Sequence, residues 1–262
     1  VKVWNYEAGI TLKGAQALFE ASGDDYYYTC LKKNMDHYIL HDGSIRYLDL
    51  KERNLDRFHT GKMLYFFYEK TGEERFRQAI EILMDMLRVH PRTSTGNFWH
   101  KEIYPWQIWL DGLYMALPFY MEYENRFDHL EHYDDIFSQM VHVREILYDP
   151  DKKLYYHAYD EKKVQPWADP DTGLSHNFWL RSIGWHLMAL IDLYELCVSE
   201  KAEQKKQYAD WFKEALEGVM LYQDPDSALF YQLIALPEEP GNYLETSGSA
   251  MISYAILKAC RL

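Results

Sequence analysis

Asp111 stands in the run Trp106-Gln107-Ile108-Trp109-Leu110-Asp111-Gly112, a carboxyl group set between indole rings and the apolar stretch that follows. An ionised carboxylate in such surroundings costs several kcal/mol unless a partner compensates it, or else its pKa rises. A carboxylic acid that keeps its proton near neutral pH can serve as a general acid. The structural alternative is an Asp bonded to helix N–H groups or to a neighbouring charge. Asp56, in Asn54-Leu55-Asp56-Arg57, is a second carboxyl at a helix start. It is either a cap or, if it shares a cavity with Asp111, a like charge that lifts one of the two pKa values. Trp179, Arg181 and Trp185 lie at i, i+2 and i+6, so no single helical stripe holds them. They suit a cavity wall at a helix tip, with Arg181 on an anionic group and the indoles on a sugar face. A cation–π pair beside core tryptophans is the plainer reading. His100 and Lys101 fall in a long loop, and His157 in Leu154-Tyr155-Tyr156-His157-Ala158-Tyr159, which alternates like one arm of a hairpin. His59 and His186 are expected to face helix interiors as packing groups.

These residues must be positioned by helices. Residues 73–90 place Phe76, Ile80, Leu83 and Leu87 on one face and charged groups on the other, as a surface helix does. Residues 24–39 and 203–221 repeat that pattern, whereas Ile108 to Met121 and Ile183 to Leu196 are apolar almost all round and must be buried. The two kinds alternate: buried at about 5–20, 54–69, 107–124, 178–196 and 244–261, surface at 24–39, 73–90, 127–148 and 203–221. Phe19-Glu20-Ala21-Ser22-Gly23-Asp24-Asp25 is echoed by Tyr68-Glu69-Lys70-Thr71-Gly72-Glu73-Glu74, a helix stop at Gly followed by an acidic first turn. Repeats of this length are stacked helical hairpins, and buried alternate helices predict a closed ring, inner helices within outer ones. The long links, 40–53, 91–106, 149–177 and 222–243, all run from outer to inner helices. They therefore meet at one end of the array and form a mouth there, where helix N–H groups point inward.

Composition narrows the partners. A net charge of −13 argues against nucleic acid, which needs clustered Lys and Arg. No apolar run approaches the roughly 18 residues of a membrane span. With 48% apolar residues over 262 positions, a single folded domain over 1–262 is expected. Cys30, Cys197 and Cys260 are odd in number and irregularly spaced, which fits a reducing, cytoplasmic setting, although a start at Val1 without Met also fits a trimmed leader. Aromatic residues reach 16%, with 23 Tyr and 8 Trp, more than a core alone needs. No Gly-rich phosphate loop, His-Glu-x-x-His pattern or Gly-x-Ser-x-Gly elbow occurs, so neither a metal, a cofactor nor a covalent nucleophile is expected.

Three runs carry a family likeness: Trp109-Leu110-Asp111-Gly112-Leu113-Tyr114-Met115-Ala116 with Pro118-Phe119-Tyr120, Trp179-Leu180-Arg181-Ser182-Ile183-Gly184-Trp185, and Leu244-Glu245-Thr246-Ser247-Gly248-Ser249-Ala250-Met251. With Asn54-Leu55-Asp56 upstream, the chain resembles the unsaturated rhamnogalacturonyl hydrolases, glycoside hydrolase family 105, kin of the unsaturated glucuronyl hydrolases. The resemblance implies an all-α fold, an (α/α)6 barrel or toroid of six hairpins. It implies Asp111 as general acid/base, with Asp56, His100, Lys101, Trp109, His157, Trp179, Arg181 and Trp185 lining the subsite. The implied substrate is an oligosaccharide with an unsaturated uronic acid at its non-reducing end, and the implied reaction is vinyl-ether hydration without metal or cofactor. Screening over roughly 8 to 10 Å lets a local Arg181/Lys101 cluster outweigh the acidic surface.

Nine helices make four and a half hairpins where six need twelve, so the barrel is expected to stop within an inner helix at Leu262. Two other readings stay open at this stage. One is a different helical-ring sugar enzyme: an epimerase, or an inverting glycosidase with Asp56 and Asp111 roughly 6.5 to 9.5 Å apart. The other is a non-catalytic helical-repeat scaffold with a polar concave face.

Overall fold

The computed structural model describes residues 3–262. Nine α-helices form there: α1 Tyr6–Ser22, α2 Asp25–Tyr38, α3 Lys62–Thr71, α4 Glu74–Arg88, α5 Leu110–Arg126, α6 Tyr133–Leu147, α7 Leu180–Leu196, α8 Ala202–Met220 and α9 Thr246–Arg261. Four short strands, β1 Gln107–Trp109, β2 Tyr148–Asp149, β3 Leu154–Tyr155 and β4 Ala158–Asp160, pair only as β1 with β4 and β2 with β3. The chain falls into two compact units, one ending at Pro91 and the other beginning at Arg92.

In the first unit the repeated junction works as the sequence predicts. Gly23 and Gly72 both take left-handed backbone, φ 67° and 66°, and their N–H groups close the preceding helices on Phe19 O and Tyr68 O. A side chain with a Cβ would be strained there, and glycine is not. Asp24 then caps α2 by accepting from Tyr26 N at 2.9 Å. Phe76, Ile80, Leu83 and Leu87 of α4 are all buried, each contributing about 1.5–3 kcal/mol by leaving water.

The third inner element departs from expectation. Residues 54–69 do not form one helix; two 3-10 turns, Leu55–Arg57 and His59–Gly61, precede α3. The N-terminal segment explains this. Trp4 Nε1 donates to Arg57 O at 2.8 Å and Thr60 Oγ1 donates to Asn5 O at 2.6 Å, so Gly61 N turns to Phe58 O instead of closing an α-helical bond on Arg57. The first inner helix is also less buried than predicted: α1 buries only Ala8, Gly9 and Leu12, and α9 likewise buries one stripe.

The second unit is centred on α5 and α7, which are buried almost all round, as their composition requires. Residues 107–109 precede α5 as a strand because β4 captures their backbone, with Trp109 opposite Ala158. The segment 127–132, read as helix from sequence, is a turn in which His129 and Leu130 have φ of 52° and 66°. Between α7 and α9, Lys258 bonds Asp192 at 2.6 Å and Glu195 at 2.5 Å. Burial alone would lower the Lys258 pKa, but Asp192, Tyr254 and Glu195 together outweigh it and raise it, so the ammonium stays charged. No α-helix among the described residues is long and apolar enough to cross a membrane.

His186, in α7, meets the packing expectation: it is buried, its ring lies 4.3 Å from that of Tyr155, and neither ring nitrogen has a hydrogen-bond partner. Burial pushes its pKa down to about 3. A histidine with a folded pKa below its unfolded value binds fewer protons when folded. Its contribution is complete above about pH 6.5 and is lost as pH falls toward 3. His186→Phe should therefore flatten the acid limb of stability by up to about 1.4 kcal/mol per pH unit. Denaturant unfolding at pH 7 and pH 4.5 measures this, and parallel losses in both proteins would contradict it.

Candidate active site

The second unit brings most of the predicted residues together. β1 delivers Trp109 to the N-terminus of α5, and Leu110 N donates to His157 O at 3.1 Å, which ties the helix start to the segment before β4. Asp111 is therefore the second residue of α5, half-buried in its first turn. From α7, the buried Ser182 hydroxyl donates to Asp111 Oδ2 and lies 3.5 Å from His157 O. Both helix starts point their N–H groups into this region, where negative charge is stabilised.

Aromatic rings cluster on the segments that lead into α5 and α7. The Trp109 indole stacks on His100, with centroids 5.2 Å apart and planes 15° from parallel, and on Tyr104 at 5.6 Å. Its Nε1 donates to Gln107 Oε1 at 2.9 Å, and Gln107 O accepts from His100 N, so one residue fixes both the indole and the loop bearing His100. His157 meets Trp109 and Trp179 edge-on, each 6.0 Å away, and Trp167 stands 6.1 Å from Trp109. Arg181 lies over the Trp179 ring at 4.2 Å and bonds Glu245 Oε1 at 2.6 Å. Lys101, half-buried, opens the tight turn to Tyr104, and its ammonium is 5.7 Å from that ring.

Trp185 is a turn deeper, 5% exposed, with its ring stacked on Tyr114 at 5.2 Å. Asp56 belongs to the first unit, buried in the 3-10 turn Leu55–Arg57, where Asn54 Oδ1 accepts from its backbone N–H. Sequence reasoning did not assign Tyr104, Trp167, Ser182 or Glu245, although the last two lie inside the runs that carry the family likeness. Among the described residues one group has ligand atoms close enough for a metal: Glu124, Asp128 and His132, at the opposite end of α5 from Asp111. Its donors are engaged locally, His132 N on Glu124 at 2.7 Å and His132 Nδ1 on Asp128 at 3.0 Å.

The arrangement, a carboxyl anchored by a hydroxyl where the starts of α5 and α7 meet, on segments rich in indole rings, can carry acid chemistry. Comparison with known proteins agrees at the level of class. Residues 1–262 match Glycosyl Hydrolase Family 88, and the chain belongs to that family and is a glycosidase. It is 26% identical over 266 residues to the unsaturated rhamnogalacturonyl hydrolase YesR of Bacillus subtilis strain 168, covering 99% of this chain and 72% of the relative. It is 34% identical over 148 residues to protein Atu3128 of Agrobacterium fabrum strain C58, covering 56% of this chain and 62% of that protein. A solved family 105 glycoside hydrolase from C. acetobutylicum ATCC 824 is 40% identical and superimposes with a TM-score of 0.95, over 99% of this chain and 72% of that one. The fold class is the (α/α)6 barrel of these neighbours.

Burial holds the His157 pKa below its ordinary value, against the smaller opposing pull of the Asn177 carbonyl on Nδ1 at 3.2 Å. His157 is thus a neutral imidazole at pH 7, its Nδ1–H donated to Asn177. Imidazole NMR should give a midpoint below the ordinary histidine value of about 6.5. A midpoint above that value would contradict this picture of the pocket wall.

Proposed function

We propose that this glycosidase removes a 4,5-unsaturated uronic acid from the non-reducing end of an oligosaccharide, with Asp111 as general acid and rhamnogalacturonan fragments as the substrate class. The single observation that carries the reading is the Asp111 carboxyl, held by the α7 hydroxyl of Ser182 two residues after Trp109, whose indole meets His157 edge-on. The likeness to YesR supports the choice of sugar. The match over residues 1–262 supports one catalytic domain.

In this reaction Asp111 gives its proton to C4 of the enol-ether ring. Positive charge develops on C5 and the ring oxygen, where the indole faces and the helix-anchored carboxylate stabilise it. Water adds at C5 and returns a proton to Asp111, so H and OH have been added across the double bond. The resulting C5 hemiketal opens to a ketone, the C1 hemiacetal releases the neighbouring sugar as its alcohol, and the sum is one hydrolysis. Arg181 receives the uronate carboxylate, while Trp109, Trp179 and His157 bound the ring, with His100 and Lys101 completing the subsite. Asp111 serves in turn as acid and base, so the scheme uses neither a metal nor a covalent intermediate.

The experiment is turnover of lyase-generated disaccharides from pectin and from glycosaminoglycans, read as loss of the ultraviolet absorbance of the double bond. The pectin-derived substrate should be consumed. Asp111→Asn should keep fold and binding yet lose activity by roughly three or more orders of magnitude. Near-normal turnover in that variant would overturn the assignment.

A further inference from the structure

The run Glu245-Thr246-Ser247-Gly248 has no task in the reaction above, yet it is built against Arg181. Glu245, 3% exposed, accepts from Arg181 Nη1 and from the Ser247 hydroxyl through the same Oε1, both at 2.6 Å. Its Oε2 is buried without a hydrogen-bond partner. A carboxylate this far from water is tolerated only while its cation stays in place. Glu245 burial and Arg181 orientation are therefore one arrangement. The guanidinium, bonded through Nη1 to a carboxylate and seated over the Trp179 indole, is restrained from two sides.

The backbone around this pair acts as a splint. Residues 230–233 bond on one side to 178–180, through Leu180 N to Gln232 O at 2.9 Å, and on the other to 243–245, through Glu245 N to Phe230 O at 2.8 Å. Helix α9 can approach because of Gly248: a Cβ there would lie 2.5 Å from Leu180 Cγ and 3.2 Å from Arg181 N. Only glycine lets the start of α9 close on the start of α7 at this level.

We propose that Glu245 is a positioning residue that fixes Arg181 in the orientation receiving the carboxylate of the terminal sugar, without itself touching substrate. This rests on the substrate reading above. Because Glu245 also offsets part of the Arg181 charge, discrimination between a uronate and a neutral sugar comes from directed donors more than from net charge.

Calorimetric binding of galacturonate to the whole chain tests it, in the wild type, Glu245→Ala, Glu245→Gln, Arg181→Ala and the double alanine variant. Glu245→Ala should weaken binding about tenfold, and Glu245→Gln, which keeps an acceptor, should recover most of the loss. In the Arg181→Ala background the Glu245→Ala change should add less than about twofold. Gly248→Ala should reproduce the Glu245→Ala loss by parting the two helix starts. Unchanged or tighter binding in Glu245→Ala, or an equal loss with and without Arg181, would overturn the proposal. Should the wild type bind no galacturonate, the wild type, Glu245→Ala, Arg181→Ala and the double alanine variant are unfolded instead. The Glu245→Ala loss must then vanish without Arg181, and an additive loss rejects the role. Turnover of unsaturated disaccharides is scored separately, so failure of the substrate reading is told apart from failure of the positioning.

Discussion

The bond from the Ser182 hydroxyl to Asp111 joins the first turns of the two most buried helices, and the candidate site is built outward from it. A hydroxyl can donate to a carboxyl oxygen whether or not the group's other oxygen carries a proton. The anchor therefore survives a protonation cycle. Any rotation of α5 against α7 would break the contact. Packing of α5 on α7, through the Tyr114 and Trp185 rings a turn below, resists that rotation.

The remaining features follow from the need to keep both helix starts in register. β1 and β4 pair over only three residues, but the pairing continues through Leu110 N to His157 O and so brings His157 beside Trp109. Gln107 then sets the indole and the His100 loop together. On the far side of α7, the 230–233 strip and Glu245 do the same for Trp179 and Arg181. Each wall residue is fixed by a backbone pairing and by a second side chain. That double constraint gives a site the rigidity that catalysis by positioning requires.

The helices were legible because their periodicity reflects burial, which a sequence records directly. Phe76, Ile80, Leu83 and Leu87 are buried as their spacing demands, and the glycine stops at 23 and 72 take the backbone that only glycine adopts without strain. The strand at 107–109 was not legible, since three apolar-flanked residues running into a helix carry no alternation. Nor was the break at 58–61, which depends on Trp4 and Asn5, more than fifty positions away. Asp111, Trp109, Trp179 and Arg181 could be singled out because charge and indoles at the head of an apolar helix are costly without a use. Ser182 and Glu245 passed unassigned because their partners are fixed by how α5, α7 and α9 rotate against one another, a tertiary fact.

The central claim is that a proton passes from a carboxyl group to an alkene carbon instead of to a glycosidic oxygen. Turnover in deuterated water, followed by NMR at early times, tests it most directly. The account requires a single stereospecific deuteron at C4 of the released uronic acid, with the alkene signal lost as fast as the neighbouring sugar appears. Release of that sugar with the double bond intact and C4 unlabelled would contradict it.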